Sequence, residues 1–181
     1  MKKLILIAAL MLATTTVFAQ KTVTGKAKTV EVGTEQDKLF VRKALEGGNA
    51  EIKKGSLARS KSKNPEIVKY GDMMENDHHS VNGKLKKVAQ QKGYNVSDIL
   101  TTEAQEMYNS LNKMDGDAFD REFVNQMIAD HLQAIELFKE QVANGTDQEL
   151  KDLASSALPV LETHLKEIER LQNNMNRKKP N

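Results

Sequence analysis

At 181 residues, with 39% hydrophobic, 29% charged and 4% aromatic side chains, the chain has room for one domain of ordinary size and not for two. It contains no cysteine, which excludes a disulfide scaffold, a thiol nucleophile, a thiolate metal site and a lipidated N-terminal Cys. The formal net charge of +2 rests on Lys2 and Lys3. Taking these two from 27 basic residues leaves 25 against 25 acidic ones, a balance that argues against nucleic-acid binding.

Residues 1–19 run from Met1-Lys2-Lys3 through the apolar stretch Leu4 to Leu12 and close on Val17-Phe18-Ala19. This is the three-part pattern of a secretory signal, with cleavage expected before Gln20. Its apolar stretch is about half the roughly 20 residues that a spanning helix needs. The mature chain is therefore expected in the periplasm or peripheral to the outer membrane, with no transmembrane segment. Residues 20–33 alternate Lys, Thr, Val and Gly without helical period and read as a flexible leader or short edge strand. Residues 176–181 form a short, solvated basic tail.

The domain lies between these ends, over 34–175. Thr34 is a cap for a first long helix from Glu35 to Lys61. Asn64-Pro65 opens a second, which Gly93 closes after Lys92. Asp117 caps a third that runs to about Ala143. Thr146 with Glu149 forms a capping box for a fourth that runs to about Met175. Four helices of matched length, about 40 Å each, predict an all-α, ferritin-like four-helix bundle. The two-to-three-residue loops make two antiparallel hairpins. The long connection between the second and third helices carries a short helix from Thr102 to Met114, opened by Thr102 and Gln105. A link this long is expected to run back along the bundle and make those two helices parallel, the alternative being that it caps one end.

Each long helix interrupts its apolar seam with one ionisable residue. The second has Ile67, Gly71, Met74, His78, Val81 and Leu85; the third has Val124, Ile128, His131, Ile135 and Phe138; the fourth has Ala157, Leu161, His164 and Ile168. The first has Phe40, Ala44, Gly47, Gly55 and Ala58, with Glu51 on the same stripe. Burying an unpaired ion costs several kcal/mol, so such residues persist when they pair, bind metal or face a wet cavity. Glu51 and His78 lie about 13 residues from their turn and share a level. His131 and His164 lie about 14 and 19 from theirs, an offset of roughly 7 Å. Glu51, His78, His131 and His164 are thus candidate ligands for Zn, Fe or Mn, without a soft ligand to favour Cu(I). Asp77, Asp130 and Glu75 are candidates to orient the imidazoles. The alternative is a buried polar network that fixes bundle register.

A di-iron centre needs Glu-x-x-His on two helices, and only Glu75-x-x-His78 supplies it, which argues against a ferroxidase. Nucleotide loops and hydrolase elbows are absent. The run Phe40-Val41, Gly47-Gly48-x-Ala50-Glu51, Met74-x-x-Asp77-His78, Met127-x-x-Asp130-His131, Leu158-Pro159 and His164-Leu165 resembles a bacterial family of secreted proteins known only as a domain of unknown function and often labelled an outer membrane protein. The resemblance covers about residues 35–172 and implies an exported ferritin-like bundle without an established activity. The barrel that such a label suggests has no support, because no segment alternates as barrel strands do. Two functional expectations follow. One is a periplasmic metal-binding bundle in metal handling or envelope stress. The other is a non-enzymatic envelope protein that forms a homo-oligomer or binds a partner on its outer faces.

Overall fold

A computed structural model describes residues 33–177, so the expected signal segment and most of the leader lie outside the described residues, as does the tail beyond Arg177. The described chain is all-α: α1 Glu35–Lys61, α2 Pro65–Lys92, α3 Thr102–Asn112, α4 Gly116–Asn144 and α5 Gln148–Arg177. Among the described residues no helix is long and apolar enough to cross a membrane.

The helix ends follow local chemistry. Thr34 and Asp37 form a reciprocal capping box at α1. Asn64 Oδ1 accepts from the Glu66 N–H, and Pro65 opens α2. Gly93 ends α2 with φ 68°, the left-handed cap that glycine adopts without strain. Three expected caps move. Thr101, not Thr102, caps α3 by accepting from the Ala104 N–H, and α3 ends before Met114. α4 begins at Gly116, so Asp117 lies in its first turn rather than at its cap. Asp147, not Thr146, accepts from the Leu150 N–H ahead of α5. Thr146 is drawn elsewhere: its hydroxyl donates to Asp37 at 2.6 Å. Asp37 is fully buried and also accepts from the Thr146 N–H and from Gln141 Nε2 at 2.7 Å, which ties the start of α1 to the α4–α5 turn.

The α1–α2 and α4–α5 hairpins pack side by side. Phe40 meets Phe138 edge-on at 5.0 Å, Lys54 meets Asp130, and Lys61 lies over Phe119, so α1 and α4 run antiparallel. Glu66 pairs with Arg170 and Asp77 with His164, so α2 and α5 do the same. α2 and α4 are both antiparallel to α1 and hence parallel to each other. The intervening link carries α3, which buries Leu111.

Two apolar cores form. One gathers Phe40, Leu45, Leu85, Phe138 and Leu150; the other gathers Ile67, Met74, Phe119, Phe123 and Met127. Each large side chain so buried contributes about 1.5–3 kcal/mol, and these cores carry the cost of the polar layer between them. In every long helix the ionisable residues fall between the two core segments. Nearer the α1–α2 turn, within the second core, α1 and α2 approach closely: a Cβ on Gly55 would lie 2.6 Å from the Gly71 carbonyl oxygen, and a Cβ on Gly71 would meet Gly55 equally. The α1 stripe is Ala44, Gly48, Glu51, Gly55 and Ala58, spaced four and three. Gly48 is therefore buried and Gly47, expected in the seam, is exposed.

Candidate metal centre

His78 on α2, His131 on α4 and His164 on α5 are 5%, 0% and 2% exposed, and one ring nitrogen from each lies within 4.8 Å of the others. The ring centroids are 5.4–5.8 Å apart. Glu51 enters from α1, with Oε2 3.2 Å from His78 Nδ1 and Oε1 3.2 Å from His131 Nδ1.

The partners of the outer nitrogens determine where the protons sit. His131 Nδ1 lies 2.9 Å from the Met127 carbonyl oxygen, which can only accept, so Nδ1 carries the proton. His164 Nε2 lies 2.9 Å from Asp77 Oδ2 and donates to that carboxylate. In the neutral rings the nitrogens left over, His131 Nε2 and His164 Nδ1, then present lone pairs to each other at 3.3 Å. Two lone pairs do not hydrogen-bond, and a proton or a cation must hold them together. His78 has the same polarity: Nδ1 faces Glu51, and Nε2 is buried with no hydrogen-bond partner. An oxygen acceptor behind each imidazole is the arrangement that orients histidine ligands and leaves the inner nitrogen free.

Burial favours the uncharged forms. It pushes the His78 imidazole down to about 3. It lowers His164 to about 4, with the Asp77 hydrogen bond acting in opposition. Burial also raises Glu51, against the pull of the neighbouring His131 and Lys54. Asp130 is raised by burial as well, opposed by Lys54.

The expected site residues separate into three groups. His78, His131 and His164 converge, with Glu51 on the Nδ1 side of two rings. Asp77 contacts an imidazole, that of His164. Asp130 and Glu75 do not: Asp130 Oδ2 takes the Lys54 ammonium at 2.7 Å, and Glu75 faces Arg59 at 3.4 Å. Asp130 precedes His131 by one position, about 100° round the helix, so the two side chains point to different targets. The expected axial offset of His164 is closed by side-chain direction. Helical side chains lean toward their own N-terminus, so in an antiparallel pair His131 leans away from the turn and His164 toward it. α5 also stays continuous through Pro159. Lys54, 1% exposed, escapes a reading that follows only acids and histidines. Its signal is its place three residues after Glu51, on the row beside that stripe with Lys43, Gly47 and Ala50.

A cavity of about 420 Å³ opens beside the cluster, reaching Glu51 and His78.

A family model described as "Domain of unknown function (DUF4142)" matches residues 19–171. No functionally curated protein matches the sequence. Among solved structures the chain is similar to a DUF305 fragment from Deinococcus radiodurans, with 13% identity, TM-score 0.70, and coverage of 78% of this chain and 98% of that one. It is also similar to CopM solved in a Cu(II)-bound form, with 21% identity, TM-score 0.67, and coverage of 76% and 96%. CopM in a Cu(I)-bound form matches with 20% identity, TM-score 0.65 and the same coverage. At these identities the likeness is one of fold.

Proposed function

The chain belongs to the DUF4142 family, domains of unknown function, and from that premise we propose that it is an exported, ferritin-like bundle that binds one divalent first-row metal ion through His78, His131 and His164. The observation that carries this reading is the pair of facing nitrogens on His131 and His164, 3.3 Å apart, each with its outer N–H engaged by an oxygen. That separation equals the edge of a tetrahedron built on metal–nitrogen bonds of about 2.0–2.1 Å. His78 Nε2, buried and unpartnered, supplies the third donor. A bound ion would supply Lewis acidity and, for iron or copper, a redox couple.

Three neutral imidazoles suit Zn, Cu, Fe or Ni, and divalent affinity peaks at Cu(II). The copper-bound states of CopM, a protein of similar fold, make copper the first ion to test beside the Zn, Fe and Mn expected from the ligand set. Glu51 orients His78 in this reading, the Met127 carbonyl orients His131 and Asp77 orients His164. The N-terminal signal pattern supports export, and with it a role in envelope metal handling or stress. The test is elemental analysis of untagged protein exported from its own signal and purified without chelator, followed by titration with each ion. Near-stoichiometric metal lost in His131→Ala supports the proposal. A protein that stays metal-free and unshifted in Tm on titration contradicts it and leaves the polar layer as a structural network in an envelope interaction protein.

A further inference from the structure

The cluster is buried, so an ion that binds it needs a way in. On the α5 side the approach passes Asp77, which is hydrogen-bonded to His164 Nε2 at 2.9 Å. On the other side lies the cavity of about 420 Å³ lined by α1, α2, α3, α4 and Leu161 of α5, in which Glu51 and His78 are the lining residues that belong to the cluster. Both contribute a buried atom without a hydrogen-bond partner, Glu51 Oε1 and His78 Nε2. Four carboxylates line the cavity, those of Glu46, Glu51, Glu103 and Asp130, against the two ammonium groups of Lys43 and Lys54. Its formal charge is therefore negative, which concentrates cations. Its outer wall is the Thr101–Met107 side of α3, a helix whose buried residue, Leu111, lies at the far end. A wall held by so few buried contacts belongs to the low-stability part of a fold.

We propose that this cavity is the access route by which a divalent cation reaches the three-histidine cluster, with Glu51 and His78 as its first protein ligands on the way to His131 and His164. The proposal rests on the reading of that cluster as a metal site. Glu46 and Glu103 raise the local cation concentration at the outer end, α3 gives way to pass the ion, and Glu51 stands between cavity and cluster. The carboxylate touches two of the three imidazoles on one side and lines the cavity on the other.

The experiment is stopped-flow loading of the apo-protein with Cu(II), read by quenching of tyrosine fluorescence, since the Tyr70 ring lies 6.4 Å from His131. Gly47 lines the cavity at an exposed position with open space where a Cβ would stand, so Gly47→Leu adds bulk without a clash. Ala104→Phe adds bulk from α3 and leaves the tyrosine signal of this tryptophan-free chain readable. The double variant is expected to load about tenfold more slowly or worse, with stoichiometry, equilibrium affinity and apo Tm unchanged. Asn173→Phe, at an exposed site on α5 twelve residues beyond the cavity-lining Leu161, is expected to load at the wild-type rate. Glu46→Gln/Glu103→Gln keeps the shape and is expected to slow loading at low salt, with the difference vanishing at high salt. Wild-type rates in the double bulky variant overturn the route while leaving the metal site standing. Failure of the wild-type protein to take up Cu(II) at equilibrium overturns the metal reading and the route with it.

Discussion

Asp77→Ala separates a metal ligand set from a polar network, because the Asp77 side chain is 45% exposed while the imidazole it orients is 2% exposed. Its one contact in the cluster is the 2.9 Å hydrogen bond from His164 Nε2. Removing a half-exposed acceptor lets water replace it, so the folding cost is about 0.5–1 kcal/mol. The consequence for a metal site is larger. Without Asp77 the His164 proton is free to move to Nδ1, the nitrogen that faces His131, and the ring loses its fixed orientation. Loss of such an orienting carboxylate costs about 10–100-fold in metal affinity, or about 1.4–2.8 kcal/mol. Competition titration against a chelator of known affinity measures the loss of metal affinity, and urea denaturation of the apo-protein measures the folding cost. Asp77→Asn, which keeps an acceptor oxygen, is expected to fall between. A variant with wild-type metal affinity and a large loss of apo stability would mean that Asp77 serves the fold and not a metal ligand.

Three further predictions follow from the same geometry. Folding holds His78 at about 3 and His164 at about 4, below the ordinary imidazole value of 6.5, so the unfolded chain binds more protons than the folded one between those values. The two imidazoles therefore contribute apo-protein stability that is present above pH 6.5 and lost as the pH drops toward 4, opposed by the raised Glu51 and Asp130 carboxyls, and the difference in urea midpoint between pH 7.5 and 5 should shrink in His78→Gln. Lys54→Met strands Asp130, whose side chain is 21% exposed, and should destabilise by about 2–4 kcal/mol, with Lys54→Met/Asp130→Leu recovering most of the loss in thermal melts. Gly55→Ala drives a Cβ to 2.6 Å from the Gly71 carbonyl oxygen and should cost about 1–3 kcal/mol by the same assay, despite the better helix propensity of alanine.

The long helices and the converging histidines were legible because both are written in local periodicity. Asn64-Pro65 and Gly93 punctuate α2 as their backbone chemistry requires, and His78, His131 and His164 each break a four-three apolar seam. Residues whose partners lie far along the chain were not legible. Thr146 reads as a cap until Asp37, 109 positions away, takes its hydroxyl. Asp130 reads as a companion to the adjacent His131, but its partner Lys54 sits on another helix. Gly47 and Gly48 exchange roles because a stripe interrupted by glycine leaves its phase open to a one-residue shift. The 3.3 Å meeting of His131 and His164 depends on which way helical side chains lean, which a count along helix axes omits.

Three imidazoles that converge on one ion leave a signature in pulsed electron paramagnetic resonance of the Cu(II)-loaded protein. One copper per chain is expected, with hyperfine couplings from the imidazoles of His78, His131 and His164, and with that signature lost in His131→Ala and in His164→Ala. A copper signal that carries no imidazole coupling, or one that survives unchanged when all three histidines are replaced, would contradict the three-imidazole site.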